Sequence, residues 1–269
     1  MTSVLLVGCG KMGGALLAGW RKSQAASRFV VVEPTAAAVA HLKGAADVTI
    51  VDALQDAPAD FQPDAIVMAV KPQSMAEVAP PYAGLAGTAV TLSIAAGTPI
   101  AFFEAAFGPS AAIVRAMPNT PAAIGRGMSV LCANAAATAD QRALSQTLMQ
   151  AAGAVDWIED ESLMDAVTAL SGSGPAYVFH LIEAMTAAGV ALGLTPELAA
   201  KSAMETVAGA GALAREAPED PGTLRKNVTS PGGTTAAALG VLMAPDGLTA
   251  LMTKAMTAAR DRGRELAKG

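Results

Sequence analysis

The hydrophobic pattern changes character along the chain. Its first part alternates short apolar runs with helical stretches, and its last part keeps only the helical period. Val4-Leu5-Leu6-Val7 is an unbroken apolar run, as expected of a buried strand, and Met12 to Trp20 reads as the opening of a helix. Phe29-Val30-Val31-Val32-Glu33 is a β-branched run that ends in an acid and then Pro34. Further strands are predicted at Val48–Val51, Ala65–Val70, Ala89–Ile94, Ala112–Val114 and Met128–Cys132, with helical stretches between them. This alternation is that of an α/β, doubly wound, mostly parallel sheet. Thr138-Ala139-Asp140-Gln141 is a capping-box pattern that opens a helix to Ala152.

Gly153, Val155–Ile158 and the acidic Glu159-Asp160-Glu161 mark a change of composition, which puts a domain boundary there: residues 1–158 and 159–269. Beyond it, helical patterns run through Leu163–Ala169, Ala176–Leu192, Pro196–Arg215, Ala236–Met243 and Leu248–Leu266, so the second domain is predicted to be all-α. Thr195 before Pro196 and Asp220 before Pro221 are N-cap-plus-proline starts. The last helix gathers Leu248, Leu251, Met252, Ala255, Met256, Ala259 and Leu266 on one face, opposite Lys254, Arg260 and Arg264. The Ala176–Leu194 stretch is nearly long enough to cross a membrane, but His180 and Glu183 interrupt it and Gly189 and Gly193 soften it. It is read as a helix buried in protein. A helix apolar on almost every side must be surrounded, and a domain of ~110 residues could hardly enclose it alone. A partner subunit sharing the core is the simplest remedy.

Composition supports that picture and narrows the partners. The 269 residues are 52% hydrophobic and 15% charged, with 4% aromatic, so Ala, Leu, Val and Met must build the core. A net charge of −5 gives no basic footprint for nucleic acid or an anionic membrane. Cys9 and Cys132 are the only cysteines, which is no disulfide framework and fits a reducing cytoplasm. The N-terminus lacks a basic region followed by an apolar signal core.

The candidate chemistry lies at loops. Gly8-Cys9-Gly10-Lys11-Met12-Gly13 is G-x-G-x-x-G between a strand and a helix, the fingerprint of a dinucleotide-binding Rossmann domain. Gly8 serves the tight turn, Gly10 lets backbone approach a pyrophosphate, and Gly13 lets helix and strand pack closely. The helix dipole and its free N–H groups favour the anion. Glu33 lies about 20 residues beyond Gly13, where a carboxylate accepts bonds from the adenosine ribose hydroxyls. It would repel a 2′-phosphate, and Thr35-Ala36-Ala37-Ala38 supplies no base to hold one, so charge favours NADH over NADPH. Strand ends also carry Val70-Lys71-Pro72-Gln73, Ser93-Ile94-Ala95-Ala96-Gly97 and Met117-Pro118-Asn119-Thr120-Pro121. In the last, two prolines hold Asn119 extended, as suits an amide presented to a ligand, although a plain rigid turn would look the same.

The helical half contributes Ser171-Gly172-Ser173-Gly174-Pro175 and Val228-Thr229-Ser230-Pro231-Gly232-Gly233-Thr234-Thr235. The second combines exposed amides, hydroxyls and a helix start, a pocket for a small carboxylate. Hydride transfer would need this cradle and the first to face each other across a cleft. No catalytic triad, metal-ligand cluster or paired acids compete for the role, and the isolated His41 and His180 read as structural.

Taken together, these motifs, in this order across the whole chain, resemble those of the pyrroline-5-carboxylate reductases. The resemblance implies reduction of Δ1-pyrroline-5-carboxylate to L-proline by NADPH or NADH, the last step of proline biosynthesis. It implies a Rossmann domain followed by a helical domain that makes a homodimer by interleaving helices, commonly assembled into pentamers of dimers (a decamer). It places Ser173, Ser230, Gly232, Gly233 and Thr234 on the substrate, with Thr235 near the ring nitrogen as the catalytic hydroxyl. It places Gly8, Cys9, Gly10, Lys11, Met12, Gly13, Glu33, Ala69, Val70, Lys71, Pro72, Ser93, Ala95 and Asn119 on the cofactor, and no metal. The chain departs from the family at Glu33, where many members carry a neutral or hydroxyl residue suited to NADPH. A 3-hydroxyacid dehydrogenase is a weaker match, because Lys201 has no Asn four residues on. A deazaflavin-dependent NADP oxidoreductase shares the architecture, and a non-catalytic dinucleotide sensor would have no use for the second anion site.

Overall fold

The strand β1 (Ser3–Val7) sits in the middle of a sheet whose two faces are both covered, which is why its apolar run has no polar alternation. The computed structural model describes residues 2–266, with Leu266 described as backbone alone. Eight strands lie in the order β3-β2-β1-β4-β5-β6-β7-β8. The others are β2 (Arg28–Val32), β3 (Val48–Val51), β4 (Ala65–Met68), β5 (Val90–Ser93), β6 (Ile113–Met117), β7 (Gly127–Ala133) and β8 (Gly153–Trp157). All neighbours pair in parallel except β6 and β7. The strand order reverses between β1 and β4, so a crevice opens at the carboxyl ends of those strands.

Helices α1 (Lys11–Ser23), α2 (Ala36–Val39), α3 (Pro72–Val78), α4 (Ile100–Phe107) and α5 (Ala139–Gln150) join the strands. Alternate residues of each strand feed two cores. Val4, Leu6, Phe29 and Val31 meet Leu16, Leu17 and Trp20 of α1 and Leu148 of α5 on one face. Leu5, Val7, Val30 and Ile66 meet Met75 of α3 and Phe103 of α4 on the other. Trp20 stacks on Phe29 with ring centroids 6.2 Å apart, and its indole N–H donates to the Leu148 carbonyl at 2.8 Å. The Thr138–Gln141 capping box forms as the sequence predicts, with both reciprocal bonds present.

The described residues divide into two compact units, one running to Gly172 and taking in residues 260–266, the other spanning Ser173–Ala259. The division thus falls later than the predicted boundary at 158, for identifiable reasons. Val155–Trp157 belongs to β8, which pairs with β7. The acidic run that follows is tied into the sheet unit: Glu161 pairs with the buried Arg115 of β6 at 2.8 Å and accepts the N–H of Ile100 at the start of α4, 2.9 Å away. The helical stretch expected at Leu163–Ala169 forms as a continuous run of a short 3-10 turn (Glu161–Leu163), α6 (Met164–Val167) and a π turn (Thr168–Gly172).

The second unit is built from α7 (Gly174–Ala191), α8 (Pro196–Glu216), α9 (Pro221–Asn227), α10 (Thr234–Leu242) and most of α11 (Leu248–Leu266). Thr195 and Asp220 cap α8 and α9 as predicted. Within one chain α7 buries none of its residues; Phe179 is 59% exposed and Leu181 and Met185 are exposed as well. No described helix is long and apolar enough to cross a membrane. His180 is exposed, with Nδ1 3.1 Å from Glu183.

The Arg115–Glu161 pair gives an asymmetric prediction. Glu161→Ala leaves a guanidinium buried without its partner and should cost roughly 3 kcal/mol in urea melts. Arg115→Met leaves a carboxylate with access to water and should cost less; an equal or larger loss would contradict the assignment.

Candidate active site

The loop after β1 is shaped by what its glycines would collide with. Gly8 has φ +91°, and a Cβ there would come within 2.9 Å of Val70 Cγ1 and 3.0 Å of the Ala69 carbonyl oxygen. A Cβ on Gly13 would run into the Gly8 carbonyl. Gly10 is different: a Cβ there meets nothing within 4 Å, so the space above it is open. Two glycines are therefore required by the protein's own packing. The third faces room that a pyrophosphate can fill, beside the first-turn amides of α1, whose N-cap Gly10 offers no capping side chain. Lys11 is exposed and Met12 half-buried at the start of that helix.

Glu33 follows β2 directly. One carboxylate oxygen accepts the Cys9 N–H at 2.8 Å and the other accepts the Thr35 N–H at 3.0 Å. Partial burial pushes this carboxyl upward, but the bonds from Cys9 and Thr35 outweigh it and the net shift is downward. The group is thus a carboxylate at neutral pH, clamped beneath the glycine loop. Cys9 is buried, and burial, followed by the Glu33 charge, raises its thiol above the ordinary cysteine range. It fills a small non-glycine slot and is no reactive thiolate.

The strand predicted to reach Val70 ends at Met68, so Ala69 and Val70 follow β4 in the loop, and Lys71 is exposed at the N-cap of α3, with Pro72 in the first turn. A cavity of about 720 Å³ lies beside this edge, lined by Pro72, Gln73, Ala96, Gly97, Phe102 and Asp165 among others. Ser93 is fully buried; its hydroxyl accepts the Ala95 N–H at 3.3 Å, so it supports the strand-end turn from beneath. Asn119 accepts the Met128 N–H at 2.9 Å and donates to the Ser171 carbonyl at 3.0 Å. One acceptor bond and one donor are spent on the protein, leaving one N–H for a ligand. Sequence reasoning missed Glu161 and Arg115, although a lone arginine inside the apolar Ile113–Met117 run was a signal.

In the second unit, Ser230 to Gly233 form a turn closed by the Gly233 N–H on the Ser230 carbonyl at 3.0 Å, with Gly232 at φ +69°. Gly233 is the N-cap of α10 and offers no side chain, so the amides of Thr234 and Thr235 stay open at a helix start. Thr229 turns its hydroxyl back to the Arg225 carbonyl at 2.6 Å, anchoring the turn to α9. Ser173, at the N-cap of α7, makes no capping bond with its side chain.

Comparison with known proteins recognises both parts of the chain. Residues 161–266 match the family model described as pyrroline-5-carboxylate reductase dimerisation, and residues 3–97 match NADP oxidoreductase coenzyme F420-dependent. The pyrroline-5-carboxylate reductase of Pseudomonas aeruginosa is 40% identical, over 98% of this chain and 97% of that protein. The structure of the Coxiella burnetii enzyme superposes with a TM-score of 0.91 at 34% identity, covering 98% of both chains. The Plasmodium falciparum enzyme, solved with NADP bound, gives 0.81 at 27% identity, over 99% of this chain and 98% of that one. The fold and the glycine loop define a nicotinamide-dependent oxidoreductase with a Rossmann unit and a helical dimerisation region. More narrowly, the chain belongs to the pyrroline-5-carboxylate reductase family, enzymes that reduce Δ1-pyrroline-5-carboxylate to L-proline with NAD(P)H.

The glycine geometry is testable. Gly10→Ala should leave thermal stability unchanged while weakening NADH binding by about tenfold or more, read by fluorescence titration. Gly13→Ala should lower stability itself; unchanged binding in Gly10→Ala would remove the loop from the cofactor site.

Proposed function

We propose that this chain carries out its family's reduction with NADH as the preferred reductant, anchoring the imino acid by its carboxylate on the turn before α10. The observation that supports the cofactor reading is Glu33, held ionised by Cys9 and Thr35 where an adenosine ribose would lie. Each oxygen keeps acceptor capacity for a ribose hydroxyl, and the negative charge disfavours a 2′-phosphate. The amides and side chains of Gly8 to Gly13 take the pyrophosphate. Ala69, Val70, Lys71, Pro72, Ala95 and Asn119 frame the nicotinamide half, with Ser93 acting through the turn beneath it.

When bound, the reduced nicotinamide supplies the hydride. The protein's part is to hold the imine carbon against it, since a protonated cyclic imine is already a strong hydride acceptor and needs no nucleophile. Ser230, Gly232, Gly233 and Thr234 hold the carboxylate, with Ser173 completing the substrate set. Thr235 hydrogen-bonds near the ring nitrogen; a threonine hydroxyl is a poor acid in water, so its role is orientation more than proton delivery. The hydride adds to the imine carbon as the π pair becomes the amine lone pair of proline.

We further propose a homodimer in which the exposed apolar sides of α7 are covered by helices of a second copy, as a unit for pentamers of dimers. Two buried thiols with no disulfide fit a cytoplasmic location.

Thr235→Ala should lower turnover by roughly 10- to 1000-fold; an unchanged turnover number removes it from the mechanism. Glu33→Ser should raise kcat/KM for NADPH by about tenfold, the size expected of a carboxylate–phosphate repulsion of order 1 kcal/mol in a solvated cleft. An equal effect on both cofactors would show that Glu33 only shapes the strand end.

A further inference from the structure

Glu161 holds more than its ion pair. Helix α4 begins at Ile100 behind Pro99, which offers no capping side chain, so its first amides lack partners within the helix. One of them, the Ile100 N–H, is taken by Glu161 Oε1 at 2.9 Å, from 61 residues along the chain. The same oxygen accepts the Arg115 guanidinium at 2.8 Å. Arg115 is buried in β6, in register with Ser93, the last residue of β5. One carboxylate oxygen thus ties the end of β5, through Arg115, to the start of α4, where the helix dipole also favours it.

Between those two points run residues 94–99, which carry Ala95 at the carboxyl edge of the sheet. The bonds within this loop are long: Ala95 N–H to Ser93 Oγ at 3.3 Å and Thr98 N–H to the Ala95 carbonyl at 3.3 Å. Packing does little for its middle. A Cβ on Gly97, at φ +76°, would meet nothing within 4 Å, and Ala96 and Gly97 line the 720 Å³ cavity. A loop of this kind takes its shape from the elements at its ends. Glu161 is itself well held, because Asp160 accepts both the N–H and the hydroxyl of Ser162, at 2.8 and 2.7 Å, and so closes the turn around it.

We propose that Glu161 is a positioning residue for the nicotinamide half of the cofactor: bound to Arg115, it holds the Ile100 N–H and so fixes the backbone around Ala95. This rests on the reading of Ala95 as a cofactor residue. The adenosine and pyrophosphate ends are placed by Glu33 and Gly8–Gly13, which follow β2 and β1 and make no bond to this loop.

The test compares binding of NADH with that of ADP-ribose, which lacks the nicotinamide, to the full-length protein and its Glu161→Ala variant. The Kd for NADH should rise about fivefold or more, the order expected when one or two loop residues must be ordered on binding. The Kd for ADP-ribose should stay within about twofold, its contacts lying on other strands. Amide exchange of residues 94–100 in the free protein should quicken. Glu161→Gln keeps an oxygen for both donors and should hold NADH binding within about twofold of wild type. Ile100→Pro removes the N–H and spares the Arg115–Glu161 pair, at a first helical position that accepts proline after an extended Pro99, and it serves if Glu161→Ala folds poorly. NADH and ADP-ribose weakened alike would overturn the proposal in favour of general support of the fold. Unchanged NADH binding in a folded variant would overturn it too, whatever the exchange shows. The wild type separates that failure from one of the Ala95 reading: NADH, and not ADP-ribose, should slow exchange in residues 94–100, and no such protection would remove the loop from the cofactor site.

Discussion

The bond between Glu33 and the Cys9 amide joins the two features on which the first unit depends. The glycine loop needs its N–H groups directed at an anion, yet one of them is given to a carboxylate from the neighbouring strand. That bond fixes the loop against the end of β2 and fixes the carboxylate in its charged form, against the cost of partial burial. Register does the rest: β1 and β2 pair from Ser3–Arg28 to Val7–Val32, so the loop and the acid leave the sheet side by side. Loop shape and the charge of Glu33 thus follow from one short contact made by the parallel sheet.

The helical unit follows a different logic. Its sequence is too apolar for the surface it presents as a single chain, and α7 shows this most plainly, with no residue buried. This region lies within residues 161–266, which match the family model described as pyrroline-5-carboxylate reductase dimerisation. The turn before α10 stays open because its N-cap is Gly233, whereas the threonine before α8 and the aspartate before α9 cap those helices with their own side chains. Placing glycine where serine or aspartate would stabilise the helix leaves amides for an external acceptor.

Much of this was legible in the sequence because it depends on local pattern: the strand–loop–helix of Gly8–Gly13, the acid after β2, the capped helix starts and the glycine-rich turn. The failures share a cause, the pairing of residues distant in sequence. The strand expected to stop at Val114 continues to Met117, because Arg115 is neutralised by Glu161, 46 residues on. The same pair draws the acidic segment into the sheet unit and moves the division between units past it. Val155–Ile158 reads as a change of composition rather than a strand because β8 alternates half-buried and exposed positions at the sheet edge. Between its prolines Asn119 reads equally as ligand-facing or as part of a rigid turn, and nothing nearby in sequence announces Met128 or Ser171 as its partners.

The central claim is electrostatic: a fixed carboxylate under the glycine loop selects against a phosphate on the adenosine ribose. It is tested most directly by calorimetric titration of the wild-type protein with NADH and with NADPH over a series of salt concentrations. The account predicts that NADH binds more tightly and that the gap narrows as salt screens the repulsion. Tighter binding of NADPH at low salt would contradict it.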